Sequence, residues 1–355
     1  MKETIFISFY NSYPITSGAS AVTTSYFLNW PGKKKLFQLN HYNLIKKKNI
    51  YNFKISSNHF IFKFLNLIPF ALYILVNINK KKIKYIIFEG ASWSGYIYIL
   101  YKILSFFLKK NYIYHSHNVD FCFRKKNIII KYLSFFFEKK ILQNFDISTS
   151  VSINDQKTFK KIFDVNTVLL PNGINIEKKY LKKKKLKKYI FFSGSLEFNE
   201  NRKTFNRLLT KEFEIVRKII PDIKIYQTGG DNHKYFDYNN HVKELGNLNR
   251  KVYLKYLQEA LLIIVPASSG PGTKIKVIEA LCYNKYLLTS KFGMKGLKSR
   301  YNKKIIYSNL SEFKKKINFL KNHNFKLANH NKIGNFFRAH YNIKNIIRKF
   351  HENYL

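Results

Sequence analysis

The sequence predicts an α/β fold made of two successive doubly wound parallel sheets, and three observations carry that prediction. Short apolar, β-branched runs alternate with longer amphipathic stretches along all 355 residues, the pattern of parallel strands joined by helical crossovers. The alternation is interrupted once, at residues 175–188, by a lysine-rich stretch too charged and monotonous to enter a core. An apolar content of 46% is enough to fill two cores of ordinary size.

Residues 4–9 read as the first strand, because they are short, β-branched and aromatic. Lys2 and the Ala19-Ser20-Ala21 pattern suggest a leader, but Glu3 and the brevity of the apolar run argue against one. Residues 60–78 are the most apolar stretch. Lys63, Asn66, Pro69 and Asn77 leave it short of the roughly 20 clean residues a bilayer demands, so a buried helix is expected there. The alternative is a helix embedded in one leaflet with Lys80 to Lys82 at the headgroups. Strands follow at 85–88, 112–115, 147–150 and 167–170.

After the lysine-rich linker, residues 189–193, 223–228, 261–265 and 286–289 read as strands, separated by helices such as 204–219 and 252–260. In the tail, Phe337, Tyr341, Ile343, Ile346, Ile347 and Phe350 keep helical spacing. The expected organisation is a first domain at 1–174, a linker at 175–188, a second domain at 189–335, and a C-terminal helix at 336–355 crossing back to the first domain. In open parallel sheets ligands bind beyond the carboxyl ends of the strands, so a ligand cleft is expected beside the linker.

Against 64 Lys and Arg stand only 20 Asp and Glu, a formal charge of +44 that must attract polyanions. The excess is spread as lysine runs through the whole chain, so it fits a solvated basic surface or an anionic membrane surface as well as any single ligand. Cys122 and Cys282 show neither metal-ligand nor disulfide spacing, which favours a reducing, cytoplasmic setting. Hydrolase nucleophile elbows, the dinucleotide fingerprint and the Walker pattern are all missing from the sequence.

Residues 266–297 are the most informative segment. Gly270 and Gly272 let the backbone come close to an anion, and a helix opening near Thr273 supplies free N–H donors and a positive dipole end. Glu279, about two turns further on, is placed to accept a hydrogen bond from a sugar hydroxyl beside the phosphates. Lys276, three positions before Glu279, lies on roughly the same helical face and with Lys274 adds positive charge. This is the layout of a nucleotide-sugar site.

The segment resembles the donor site of family 4 glycosyltransferases, through Gly272, Lys276, Glu279, Ala280, the following strand, Gly293 and Gly296. Most members carry a second acid eight positions earlier, where this chain has Pro271. The resemblance extends to residues 151–159, 171–175 and 191–201. In the last of these a variant group carries Asn201 in place of phosphate-gripping Arg and Lys.

The resemblance implies a GT-B fold of two Rossmann-like domains facing a central cleft. It also implies transfer from a nucleoside-diphosphate sugar with retention of configuration, without a cofactor or an obligatory metal. Catalytic roles are implied for His117 and Glu279. Donor contacts are implied for Gly194, Ser195, Asn201, Gly229, Gly246, Gly270, Pro271, Gly272, Thr273, Lys274 and Lys276, with Gly18 as a further donor contact or only a turn. Metal binding by His115 and His117 is not expected, since alternate strand residues face opposite ways and no acid accompanies them in sequence. Glu138 and Asp155 read as caps or surface acids.

The expected acceptor is a glycan or lipid-linked glycan, at the inner face of a membrane. Glu279→Ala is expected to abolish transfer in a folded protein. Two rival readings remain: a sugar-nucleotide binder silenced by Pro271, and a basic nucleic-acid-binding protein, although no specific nucleic acid is expected as a partner.

Overall fold

The computed structural model describes residues 2–15, 17–40, 47–57, 59–124, 127–182, 184–230, 240–270, 272–325 and 330–355. The chain forms two compact units, one of Met1–Asn172 with Ile346–Leu355 and one of Gly173–Asn345. Each is a wholly parallel sheet between helices, a Rossmann-like arrangement.

In the first unit the order is β1 (Glu3–Ser8), α1 (Gly18–Asn29), β2 (Lys33–Asn40), β3 (Ile50–Lys54), α2 (Phe60–Leu65), α3 (Leu67–Val76), β4 (Ile83–Glu89), α4 (Ser94–Phe107), β5 (Asn111–His115), α5 (Asp120–Phe123), α6 (Ile128–Asn144), β6 (Ile147–Ser150), α7 (Ile153–Phe163) and β7 (Val168–Leu169). The sheet runs β3-β2-β1-β4-β5-β6-β7, so its order reverses between β1 and β4. Two of these strands escape the sequence pattern. β2 begins with three lysines and β3 is a partly exposed edge strand with alternating polar residues, so neither shows a continuous apolar run.

Helix starts follow local chemistry. Ser17 and Ser20 form a reciprocal capping box at α1, and Ser152 caps α7 by accepting the Asp155 N–H. Residues 60–78 do not form one buried helix. They form α2 and α3, broken at Asn66, and α2 buries none of its residues. No helix among the described residues is long and apolar enough to cross a membrane.

The second unit continues with β8 (Lys187–Ser193), α8 (Asn199–Arg207), α9 (Phe213–Ile219), β9 (Lys224–Thr228), β10 (Val242–Glu244), α10 (Arg250–Glu259), β11 (Ala260–Val265), α11 (Ile275–Cys282), β12 (Leu287–Ser290), α12 (Asn302–Ile305), β13 (Ile306–Tyr307), α13 (Leu310–Asn322) and α14 (His330–Tyr341), after which α15 (Ile343–Tyr354) belongs for most of its length to the first unit. Its sheet runs β10-β9-β8-β11-β12-β13, reversing between β8 and β11. Alternate residues feed opposite faces. Tyr189, Phe191, Ile263 and Val265 enter one core, while Ile190, Phe192, Leu262 and Ile264 enter the other.

The lysine-rich stretch is more ordered than its charge suggests. Ile174 pairs with Asn342, and Tyr180 is buried in the second unit's core, so apolar residues among the lysines pin the segment down. The tail is two helices, α14 packing on α11 and α15 ending in the first unit, where the Tyr85 hydroxyl donates to the Leu355 carbonyl at 2.9 Å.

Candidate active site

In the second unit the loops after β8, β9, β10 and β11 all leave the carboxyl edge of the sheet, beside the β8/β11 reversal. They bring the predicted residues together. Gly194 follows β8 at φ 146°, and a Cβ there would lie 2.8 Å from Lys276 Nζ and 2.9 Å from Asn201 Nδ2. Lys276 Nζ donates to Asn201 Oδ1 at 3.0 Å and sits 4.4 Å from the Phe192 ring centre. Asn201 in turn donates to the Ser195 carbonyl at 2.9 Å.

Gly229, at φ 116°, packs so tightly that a Cβ would meet the Gly194 and Ser195 backbone at 2.8 Å. Its N–H donates to the Gly246 carbonyl, which also accepts the Thr228 hydroxyl at 2.6 Å. Gly246 itself has φ 60° and open space around it. Gly270 has φ 103°, and a Cβ there would lie 2.8 Å from Lys274 Nζ. Gly272 has φ 60° and Thr273 is buried. Pro271 lies outside the described residues.

Lys274 is the N-cap of α11, and Ile275 and Lys276 of its first turn remain partly accessible. The Val277 and Ile278 N–H groups donate to the Lys274 carbonyl at 2.9 and 3.3 Å, so the N–H groups of Ile275 and Lys276 are the ones without an acceptor within the helix, at its positive dipole end. Burial and the neighbouring Lys274 charge push the Lys276 ammonium down to about 7. Burial likewise brings Lys274 down to about 8. Lys276 beside Lys274 at a helix N-terminus is suited to a dianion, whose charge would raise the proton affinity of both.

Glu279 is already engaged by protein. Its Oε1 accepts from Arg250 Nη1, its Oε2 accepts the Tyr253 hydroxyl at 2.6 Å, and that same hydroxyl lies 3.3 Å from Ser193 Oγ. The remaining lone pairs can still accept a substrate hydroxyl. Alanine at 279 would remove the carboxylate that accepts from Tyr253 and Arg250, so a cost in stability is expected beside the loss of transfer.

In the first unit Glu89 ends β4 and His115 ends β5, directly paired across the sheet. The chain then turns, so His117 lies in the loop rather than on the strand. Both imidazoles therefore reach the same acid, contrary to the expectation of opposite faces and no accompanying carboxylate. Glu89 Oε2 lies 2.6 Å from His117 Nε2 and 3.1 Å from His115 Nδ1, and accepts the Thr23 hydroxyl at 2.8 Å.

These groups are buried. Burial pushes the Glu89 carboxyl up, but the charges and hydrogen bonds of His115 and His117 outweigh it and hold Glu89 well below the usual carboxylate range. Burial also lowers the His117 imidazole against the opposing pull of Glu89. A neutral His117 donating Nε2–H to Glu89 presents Nδ1 as an acceptor. The ligand atoms of the three residues lie within 4.8 Å of one another, a donor set of a kind that metals also use. Here they meet as hydrogen-bond partners around one oxygen.

The loop bearing His117 is fixed from below. Glu138, fully buried, accepts the Asp120 and Phe121 N–H groups at 2.8 and 3.0 Å and so caps α5. Asp120 accepts the Ser94 N–H at 2.9 Å and caps α4. Burial and the Asp120 charge raise the Glu138 carboxyl to about 8. Asp155 is a capping partner of Ser152. Gly18 opens α1, and a Cβ there would meet nothing within 4 Å, so local packing does not require glycine.

Sequence reasoning missed Glu89, Thr23, Arg250 and Tyr253. Glu89 left one signal, an acid closing an otherwise buried strand.

The fold has well-characterised counterparts. Sucrose-phosphate synthase of Thermosynechococcus elongatus superposes at a TM-score of 0.76 with 13% identity, over 100% of this chain and 98% of its own. HepE of Anabaena, in complex with UDP and glucose, gives 0.72 at 11% identity over 99% of each chain. A glycosyltransferase from Rickettsia africae gives 0.66 at 14% identity, over 99% of this chain and 97% of its own. At these identities the likeness is one of fold, and the fold is GT-B. No protein-family model matches the sequence, and no curated protein does.

Proposed function

We propose that this protein is a glycosyltransferase that moves a sugar from a nucleoside-diphosphate donor to a glycan or lipid-linked glycan acceptor, with retention of configuration as family 4 resemblance implies. The observation that carries this reading is the cluster at the amino end of α11, where Lys276 lies against Gly194 and Asn201 and Lys274 lies beside Gly270. UDP-sugars are the first donors to test, since HepE is seen with UDP and glucose.

In this reading the diphosphate binds at the first turn of α11. Lys276, with a proton affinity lowered by burial, gains its proton as the anion arrives and then stands as fixed positive charge beside it. As the bond from the sugar to the phosphate oxygen breaks, negative charge grows on the leaving group. The preset lysines and helix N–H groups stabilise that charge without reorganising. Glu279, held by Arg250 and Tyr253, offers a rigid acceptor to a ribose hydroxyl. In the first unit, His117 is fixed by Glu89 so that its Nδ1 can recognise a hydroxyl.

A cytoplasmic setting with the acceptor at a membrane face fits the basic composition. Melting-temperature shifts against UDP, GDP and their sugars test the donor half of the proposal, because a ligand selective for the native state must raise the transition. Release of labelled sugar tests the chemistry. A chain that no nucleoside diphosphate stabilises is not this enzyme.

A further inference from the structure

Five of the six residues of α2 are Phe, Ile or Leu, yet none is buried. Burial in the core cannot be what keeps this sequence apolar. The exposure runs from α2 into α3: Ile61 and Leu65 of the one and Ile68, Leu72 and Val76 of the other are 54–83% exposed. The opposite side of α3, with Leu67, Phe70 and Ile74, enters the core.

α6 also turns apolar residues outward. Its buried residues are Ser134, Glu138, Ile141 and Leu142, while residues 128, 129, 132, 133 and 136, all Ile, Leu, Tyr or Phe, are exposed. An ordinary surface helix carries polar residues at its exposed positions. The stripes belong to one layer of the first unit, since α3 packs on α4 and α4 on α6. Trp93 ties α2 to α6, with its ring 4.9 Å from Phe60 and 5.5 Å from Phe137 and its Nε1 donating to Ser134 Oγ at 3.0 Å.

We propose that the outward face of α2, α3 and α6 docks on an anionic lipid bilayer and inserts its apolar side chains shallowly. Exposed apolar side chains gathered on one layer mark an interaction surface. Charge decides the occupant. Lys63 lies within α2, Lys80 to Lys82 follow α3, and Lys139 and Lys140 line α6. A second copy meeting this face about a twofold axis would set these lysines against their own images. Anionic headgroups neutralise them while the acyl boundary takes up the Ile, Leu and Phe side chains.

α2 lies at the amino end of α4, where the Tyr96 hydroxyl donates to the Phe60 carbonyl at 3.0 Å. This is the end of the first sheet that carries Glu89 and His117. A lipid-borne acceptor would thus arrive beside His117, a consequence that rests on the glycosyl-transfer reading, whereas the docking itself does not.

Co-sedimentation of the full chain with phosphatidylcholine vesicles, with and without phosphatidylglycerol and without nucleotide sugar, tests the docking alone. The expected result is binding to the anionic vesicles that falls roughly tenfold in the triple variant Leu65→Ser/Ile68→Ser/Leu72→Ser. Ile68→Trp supplies a second readout that does not depend on the triple variant folding, with emission quenched by brominated acyl chains. Unchanged binding by the folded triple variant would overturn the proposal, as would unquenched Ile68→Trp emission. So would a lipid-free dimer that the serines dissolve.

Discussion

His117 Nε2 and Glu89 Oε2 lie 2.6 Å apart in the interior of the first unit, and this contact sets which imidazole nitrogen His117 can offer to a substrate. With Nε2–H given to the carboxylate, Nδ1 is left as an acceptor. Glu89→Gln keeps the shape but can turn an amide N–H towards the ring and reverse that tautomer. The expected result is a fall of roughly 10²-fold in kcat with little change in KM, the size expected when the partner that orients a histidine is replaced. A wild-type rate for Glu89→Gln would remove the acid from the mechanism.

The same pair sets an acid limit on stability. The folded state holds both groups below their ordinary values of 4.5 and 6.5. The unfolded chain therefore binds more protons as pH falls through 6.5 and then 4.5, so stability must fall with it. Glu89→Gln should flatten the lower part of that decline, measured as melting temperature against pH.

Lys276→Met should separate stability from function. The folded lysine titrates near 7 rather than at 10.5, so between those values the unfolded chain holds more protons and stability rises with pH. Methionine removes the penalty, and the ligand-free variant should melt about 2–4 °C higher at neutral pH for each kcal/mol recovered. It should also lose donor binding. A variant that melts lower than the wild type would show that the lysine stabilises the fold.

Glu279→Gln and Glu279→Ala should differ. Glutamine keeps an acceptor for the Tyr253 hydroxyl and should remain folded with weakened donor binding. Alanine should cost about 1–3 kcal/mol in denaturant unfolding, because the Tyr253 hydroxyl keeps only the longer contact to Ser193 in place of its carboxylate acceptor. Equal stability of the two variants would contradict the role given to Tyr253.

Glycines separate in the same way. Gly229→Ala forces a side chain against the Gly194 and Ser195 backbone at φ 116° and should destabilise strongly, whereas Gly18→Ala meets open space and should be neutral or slightly stabilising. If Gly18→Ala also leaves donor binding intact, Gly18 is only a turn residue. Melting curves with and without UDP read both outcomes.

The strands with unbroken apolar runs, such as β4, β5 and β11, were legible in the sequence because both faces are buried and period and composition agree. The lysine-led β2 was not, since pairing between β1 and β3 rather than its own composition makes it a strand. The cluster around α11 could be read because glycine, lysine and helix start are local features. The Glu89–His117 contact could not, as it joins residues 28 positions apart through strand order. The stripe on α3 left two readings open in the sequence, a buried helix or one lying in a leaflet, because apolar periodicity names a face without saying whether core or solvent receives it.

The central claim is that a diphosphate docks at the amino end of α11 and is held by Lys276. Calorimetric titration of UDP and GDP near pH 8, in buffers of different ionisation enthalpy, tests it most directly, because most of the Lys276 side chains start out neutral there. The account predicts that at least one diphosphate binds with net proton uptake, and that Lys276→Met loses both the uptake and at least roughly tenfold in affinity. Equal binding by the variant, or binding without proton uptake, would contradict it.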